Sequence, residues 1–197
     1  MQRYDIIKHL IRQYDFKSYL EIGVLGRETL NQIDVPIKHG VDPNGQGDFT
    51  MTSDEFFLKH CSQNYDIIFI DGLHLKEQVK KDIENALTHL NNNGIIIVHD
   101  CLPSCEEEQF REGISGRPWT GDVWKTFAEL VLFSDDLDCC VVDTDHGCGI
   151  IKRSDKNFPS VRGNLEIPVR FNWSYFQHNR NALLNVITIE EFLHGHS

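Results

Sequence analysis

Apolar residues along the chain recur in two rhythms, one helical and one of short continuous runs. Ile6, Ile7, Leu10, Ile11 and Tyr14 fall at helical spacing, which predicts an amphipathic helix over 5–14. Tyr19, Leu20 and Ile22 form a β-prone run that meets glycines at 23 and 26, a strand, a tight turn and a helix start. Leu30 and Ile33 continue that helix, which must stop before Pro36. Residues 38–45 read as a short strand ending in Asp42 and a turn. Residues 48–57 read as a third short strand and a helix capped by Ser53 or Asp54.

The runs 65–70 and 95–98 are almost wholly apolar, as expected of central parallel strands buried on both faces. Between them Val79, Ile83, Leu87 and Leu90 mark a helix that stops at the Asn-Asn-Asn-Gly of 91–94. Residues 102–122 are polar and glycine-rich, a long loop or short helix of the kind that often forms lids. Asp122 then caps a helix through Val123, Phe127, Leu130 and Val131. Residues 138–143 and 148–152 flank a turn at 144–147 and read as a hairpin. The pattern predicts an α/β, Rossmann-like doubly wound sheet, mostly parallel, that ends in an antiparallel hairpin strand. Residues 1–155 make this domain and 156–197 an extension. Within the extension, 164–170 reads as extended, 171–176 is aromatic, and 183–193 is partly helical. It packs on the same domain or against another subunit, so a homo-oligomer is one of two arrangements.

With 197 residues and 40% hydrophobic content the chain can bury a full core. It has no apolar run of spanning length and its first residues lack a signal-peptide pattern, so the expectation is a soluble cytoplasmic protein without a membrane partner. A net charge of −11 and no dense Lys/Arg stripe argue against nucleic acid as a partner. The six cysteines include no Cys-x-x-Cys pair and read as thiols in a reducing compartment.

Candidate chemistry collects where strands end, the edge at which open α/β sheets bind ligands. Glu21 stands at the first turn, where the pattern is Gly-x-x-Gly rather than the Gly-x-Gly-x-x-Gly that cradles a pyrophosphate. A carboxylate there repels phosphates and suits S-adenosylmethionine (SAM), which carries an ammonium and a sulfonium. Gly23 and Gly26 let such a ligand lie against bare backbone. Asp42 follows Gly23 at the distance where a second strand offers a carboxylate to a ribose, although an aspartate also opens Asp-Pro-Asn-Gly turns. Thr52, Ser53 and Asp54 are candidate adenine contacts, or helix caps. Asp71 and His74 follow one central strand, and His99 and Asp100 follow the next. Trp124 reads as a core anchor, and Trp119 is left open.

The ordered set of residues 20–26, 65–74, 94–100 and 120–125 resembles the class I SAM-dependent methyltransferases over about residues 15–153. It is most similar to a small bacterial branch related to macrocin-type sugar O-methyltransferases and, more distantly, to catechol O-methyltransferases. The resemblance implies that Glu21, Gly23 and Gly26 hold the methionine part of SAM, Asp42 the ribose, and Thr52, Ser53 and Asp54 the adenine side. Asp71 touches both cofactor and acceptor in this scheme. It further implies a divalent cation such as magnesium on Asp71 and Asp100. The third ligand position is Cys101, a poor partner for a hard ion. The expected reaction is O-methylation of a small hydroxylated acceptor, a sugar or sugar-containing metabolite. Asp71 and Asp100 position it, and His74 or His99 acts as base. A NAD(P)-dependent oxidoreductase and a non-catalytic SAM-binding protein are the alternatives.

Overall fold

The computed structural model describes residues 1–154 and 170–195. The expected extended stretch at 164–170 falls, up to residue 169, outside the described residues. Seven strands form one sheet in the order β2-β1-β3-β4-β6-β5-β7. The strands are β1 (Ser18–Ile22), β2 (Ile37–Val41), β3 (Tyr65–Ile70), β4 (Leu90–Val98), β5 (Leu137–Val142), β6 (Cys148–Arg153) and β7 (Val186–Ile187). β2, β1, β3 and β4 run parallel, while β6 is antiparallel to both β4 and β5. A single parallel bridge from Val41 to Phe49 is all that forms of the expected third strand.

The alternation of side chains divides the core between the two faces of the sheet. Leu20, Ile22, Ile68, Ile70, Ile96 and Val98 face α2 (Ser53–Lys59), α3 (Lys76–Thr88), α4 (Val123–Phe133) and α5 (Trp173–Leu183). Tyr19, Ile67, Phe69, Ile95 and Ile97 face α1 (Arg3–Tyr14), where Ile6, Ile7 and Leu10 are buried, and α6 (Ile189–Leu193), which contributes Phe192. The described part of the C-terminal extension therefore packs on both faces of the same sheet, and β7 pairs parallel to β5.

Several local expectations change. The helix expected after the glycine turn shrinks to one 3₁₀ turn at Leu30–Gln32, because Ile33 already has extended φ/ψ. The cap of α2 is Thr52, whose hydroxyl accepts the Glu55 amide, rather than Ser53 or Asp54. α3 ends at Thr88, and Leu90 to Gly94 already belong to β4, with the register shifting between Tyr65 and Ile67. Leu90 pairs with Tyr65, and the Asn-Asn-Asn-Gly of 91–94 is the irregular stretch before the register resumes at Ile67 and Ile95.

Trp124 is fully buried on the α4 side, its ring tilted 47° against that of Phe176 of α5 at 4.5 Å, and its indole Nε1 donates to Gln109 Oε1 at 2.9 Å. It joins the central domain, the 102–122 segment and the extension. Trp124→Ala is expected to cost about 3–5 kcal/mol, lowering the thermal midpoint and loosening α5, read by hydrogen exchange at Phe176 and Leu183. An unchanged midpoint would show that α5 docks independently.

Candidate functional site

The carboxyl ends of β1, β3 and β4 bring their polar residues together. β1 continues into Gly23, whose φ of +86 and position against the Asp71 carbonyl, 2.1 Å from where a Cβ would sit, admit only glycine. The bare face of Gly23 is thus filled by the β3 turn, not left open to a ligand. Gly26, at φ +63, is the less crowded of the two, where a Cβ would meet only the Glu28 side chain, at 3.9 Å. Asp42 holds this turn from β2. Its Oδ2 accepts the Val24 amide at 2.9 Å, and its Oδ1 accepts the Asn44 amide at 2.7 Å. The turn-forming use of Asp42 is observed directly.

Asp71, His74, His99 and Asp100 lie in one cluster. His74 Nε2 is 3.3 Å from Asp71 Oδ1, and His74 Nδ1 is 3.2 Å from Asp100 Oδ2. His99 Nδ1 lies 3.2 Å from Asp71 Oδ1 and 3.3 Å from Asp100 Oδ1. Asp100 adopts a left-handed φ of +62 to reach this position. Burial alone would push the Asp71 carboxyl up, but His99 and His74 override it and hold it well below the usual carboxylate range. Burial likewise works against charge on the imidazoles. The carboxylates nonetheless raise His74, and Asp71, Asp100 and Asp145 raise His99 further. His99 is therefore held as an imidazolium and is a poor base, which leaves His74, the more exposed of the two, as the better placed.

Three neighbours complete the cluster that the sequence did not single out. Asp145, in the β5–β6 turn, accepts the Arg3 amide at 2.8 Å and the Arg3 Nη1 at 3.1 Å, and sits 3.7 Å from His99 Nε2. Arg3, at the start of α1, also donates from Nε to Thr29 Oγ1 at 3.1 Å and lies 3.9 Å from Asp71 and 3.6 Å from Glu28. Tyr19 donates its hydroxyl to Glu21 Oε2. A signal for Asp145 exists in the sequence: a hairpin strand antiparallel to β4 returns its turn to the edge where β4 ends. Nothing comparable marks Arg3.

Glu21 is buried, under 3% exposed, on the same face as Tyr19. Burial, with Asp71 adding to it against the Tyr19 hydrogen bond and Arg3, raises its carboxyl to about 7. The sequence expectation of a ready anion at the turn thus changes to a group poised to ionise. Thr52, Ser53 and Asp54 stand apart from this cluster, at the start of α2. Gln78 Nε2 donates to Ser53 Oγ at 3.2 Å and Asp54 Oδ1 at 3.0 Å, tying α2 to α3.

Asp71, His74 and Asp100 each offer one donor atom within 4.8 Å of the others, a mixed oxygen and nitrogen set. Cys101 does not join them. Its Sγ is fully buried and turned to the Val98 carbonyl at 3.4 Å. Two carboxylates, both paired with imidazoles, suit magnesium poorly, because that ion prefers six oxygens in a near-octahedral shell. The magnesium implied by the resemblance is not favoured by this donor set.

Residues 119–122 lie across His74. The Trp119 indole stacks on the imidazole at 5.0 Å and 27°, the Trp119 carbonyl lies 3.0 Å from His74 Nδ1, and the Asp122 amide donates to the His74 carbonyl at 3.2 Å. Asp122 itself accepts the Lys76 amide at 2.7 Å and Arg111 Nη1 at 2.9 Å instead of making a side-chain cap on α4.

Asp145→Ala removes the partner of the α1 N-terminus, of Arg3 and of His99 together, and is expected to cost about 1–3 kcal/mol at neutral pH. Burial would raise the Asp145 carboxyl, but His99 and Arg3 hold it low. The difference between variant and parent is therefore full above about pH 4 and shrinks as the pH falls below it. Denaturation curves at pH 7 and pH 3 check this, and an equal gap at both values would contradict it.

The methyltransferase-domain family matches residues 32–101. This span contains Asp42, Thr52–Asp54, Asp71, His74, His99 and Asp100. No curated protein matches the sequence. Among solved structures, a Staphylococcus aureus protein named provisionally as a caffeoyl-CoA O-methyltransferase is 19% identical, with 77% of this chain and 82% of that one covered at a TM-score of 0.59. TomG of Streptomyces achromogenes, an O-methyltransferase of tomaymycin synthesis in complex with SAM, is 14% identical, with 76% and 78% covered at 0.53. A Bacillus cereus O-methyltransferase in complex with SAH is 17% identical, with 76% and 78% covered at 0.52. Among the described residues no helix is long and apolar enough to cross a membrane. Sheet order and antiparallel hairpin give this chain the fold of class I methyltransferases, and residues 32–101 are similar to the methyltransferase-domain family.

Proposed function

We propose that the chain is a SAM-dependent O-methyltransferase acting on a small hydroxylated acceptor. The observation that carries the reading is the convergence of Glu21, Asp71, His74, His99 and Asp100 at one sheet edge, beside a turn without phosphate-binding glycines. A donor with ammonium and sulfonium charges matches an edge rich in carboxyls, whereas a dinucleotide does not. Its methionine part lies over Gly26 and Glu21. Its ribose faces Asp42, which keeps lone pairs beyond those that hold the turn. Its adenine lies toward Thr52, Ser53 and Asp54.

Methyl transfer is an in-line displacement: the acceptor oxygen forms a bond to the methyl carbon as the carbon–sulfur bond breaks, and the acceptor loses its hydroxyl proton. Most of the protein's task is alignment. Asp100 and Asp71 orient the acceptor hydroxyl, and His74 takes the proton. A sulfonium arriving near Asp71 lowers the imidazole pKa, since like charges disfavour one another, and so readies His74 as base. His99, bracketed by three carboxylates, keeps Asp71 and Asp100 in place. A sugar or sugar-containing metabolite as acceptor rests on the family resemblance alone.

Two outcomes test this. Because Glu21 has a carboxyl near 7, a cationic donor binds its ionised form better. SAM affinity measured by calorimetry is expected to rise between pH 6 and pH 8 by up to about tenfold and then level. Glu21→Gln should weaken binding and flatten the profile, while a parent profile that is already flat would contradict the role of Glu21. With labelled SAM and cell extract as acceptor source, Asp100→Ala is expected to lower methyl transfer about 100-fold while leaving SAM affinity within about twofold. Full turnover by that variant would remove Asp100 from the reaction.

A further inference from the structure

We infer that Arg3 is the receptor for the carboxylate on the donor's methionine part, so that the site reads SAM as an amino acid and not only as a cation. The inference deepens the methyltransferase reading and rests on it for the presence of the donor.

One group of the donor is at odds with this sheet edge. SAM carries a carboxylate beside its ammonium, and the edge already holds Glu21, Glu28, Asp71, Asp100 and Asp145, acids that disfavour another anion. A positive group with donors to spare must therefore stand beside the glycine turn. His74 and His99 lie between the carboxylates of Asp71 and Asp100. Arg27, inside the turn, donates Nη1 to the Gln46 carbonyl at 2.8 Å and lies 3.8 Å from Asp48, which directs it toward the loop after β2. Arg3 remains.

The Arg3 guanidinium is aimed rather than saturated. Its Nε donates to Thr29 Oγ1 at 3.1 Å and its Nη1 to Asp145 Oδ2 at 3.1 Å, which fixes the plane of the group from two sides. Nη2 makes no hydrogen bond among the described residues. Glu28 stands 3.6 Å from it on a side chain that is 74% exposed, a loose pair that a ligand can displace. Both N–H groups of Nη2 are thus open to a carboxylate, and the Arg3 side chain is 21% exposed. The position fits too. Thr29 follows the glycine turn, Asp71 lies 3.9 Å from Nε, and Arg3 acts electrostatically on the Glu21 carboxyl. An α-amino acid carries ammonium and carboxylate on one carbon, and this corner holds acid and guanidinium side by side.

The test compares SAM with decarboxylated SAM, which keeps the ammonium and the sulfonium and lacks only the carboxylate, by calorimetry on the full chain at pH 8. Without a carboxylate receptor, an edge this rich in acids would take the doubly positive probe at least as well as SAM. With Arg3 in this role, the parent should bind SAM about tenfold or more tighter. Arg3→Met should weaken SAM about 10- to 100-fold and leave decarboxylated SAM within about twofold or tighter. Arg3→Lys should recover part of the loss, since it keeps the charge without the fork. The parent comparison needs no variant and stands even where Arg3→Met does not fold. A parent that binds decarboxylated SAM as well as SAM, a variant that keeps the parent's preference, or one that loses both probes equally because Arg3 serves only to hold α1 would each overturn the inference. A parent that binds neither probe would instead overturn the methyltransferase reading.

Discussion

The arrangement depends on how Asp71 is kept charged at the end of a buried strand. A carboxylate there is costly unless opposite charge stands close. The chain supplies His99 at 3.2 Å, His74 at 3.3 Å and Arg3 at 3.9 Å, each from a different element. The same partners then serve Asp100 and Asp145, so one network holds the ends of β3 and β4, the β5–β6 turn and the start of α1. Glu21 sits beside it and, lacking comparable pairing, settles near neutrality. A site built this way is already balanced, and an incoming cation perturbs every member of it. In the proposed reaction, that is the physical link between donor binding and proton transfer.

Much of the sheet was legible because its strands are of the most readable kind. The runs at 65–70 and 95–98 are apolar on both faces, and the hairpin around 144–147 has turn residues where it needs them. Failures occurred where local chemistry and tertiary pairing disagreed. Residues 91–94 carry a strong stop signal, yet the helix has already ended at Thr88 and Leu90 pairs with Tyr65, leaving 91–94 as an irregular stretch within β4. The segment after Gly26 looked helical, and the turn held by Asp42 leaves room for one 3₁₀ turn.

The site was readable for a related reason: parallel topology delivers the ends of successive central strands to one edge, so Asp71, His74, His99 and Asp100 could be placed together before any coordinates. Spacing could not reveal that His99 faces a third carboxylate while His74 does not, since that depends on Asp145. Nor could it foresee that Gly23 faces the Asp71 carbonyl while Gly26 has only the Glu28 side chain near it. Arg3 was invisible because a basic residue at the start of an amphipathic helix ordinarily points to solvent. Here Asp145 caps that helix from across the sheet.

The central claim is that this sheet edge selects a cationic nucleoside over a phosphorylated one. Isothermal titration of the purified full chain with SAM and, separately, with NADH addresses it most directly. The account predicts saturable one-to-one binding of SAM and no measurable heat from NADH. Binding of NADH with no response to SAM would contradict it.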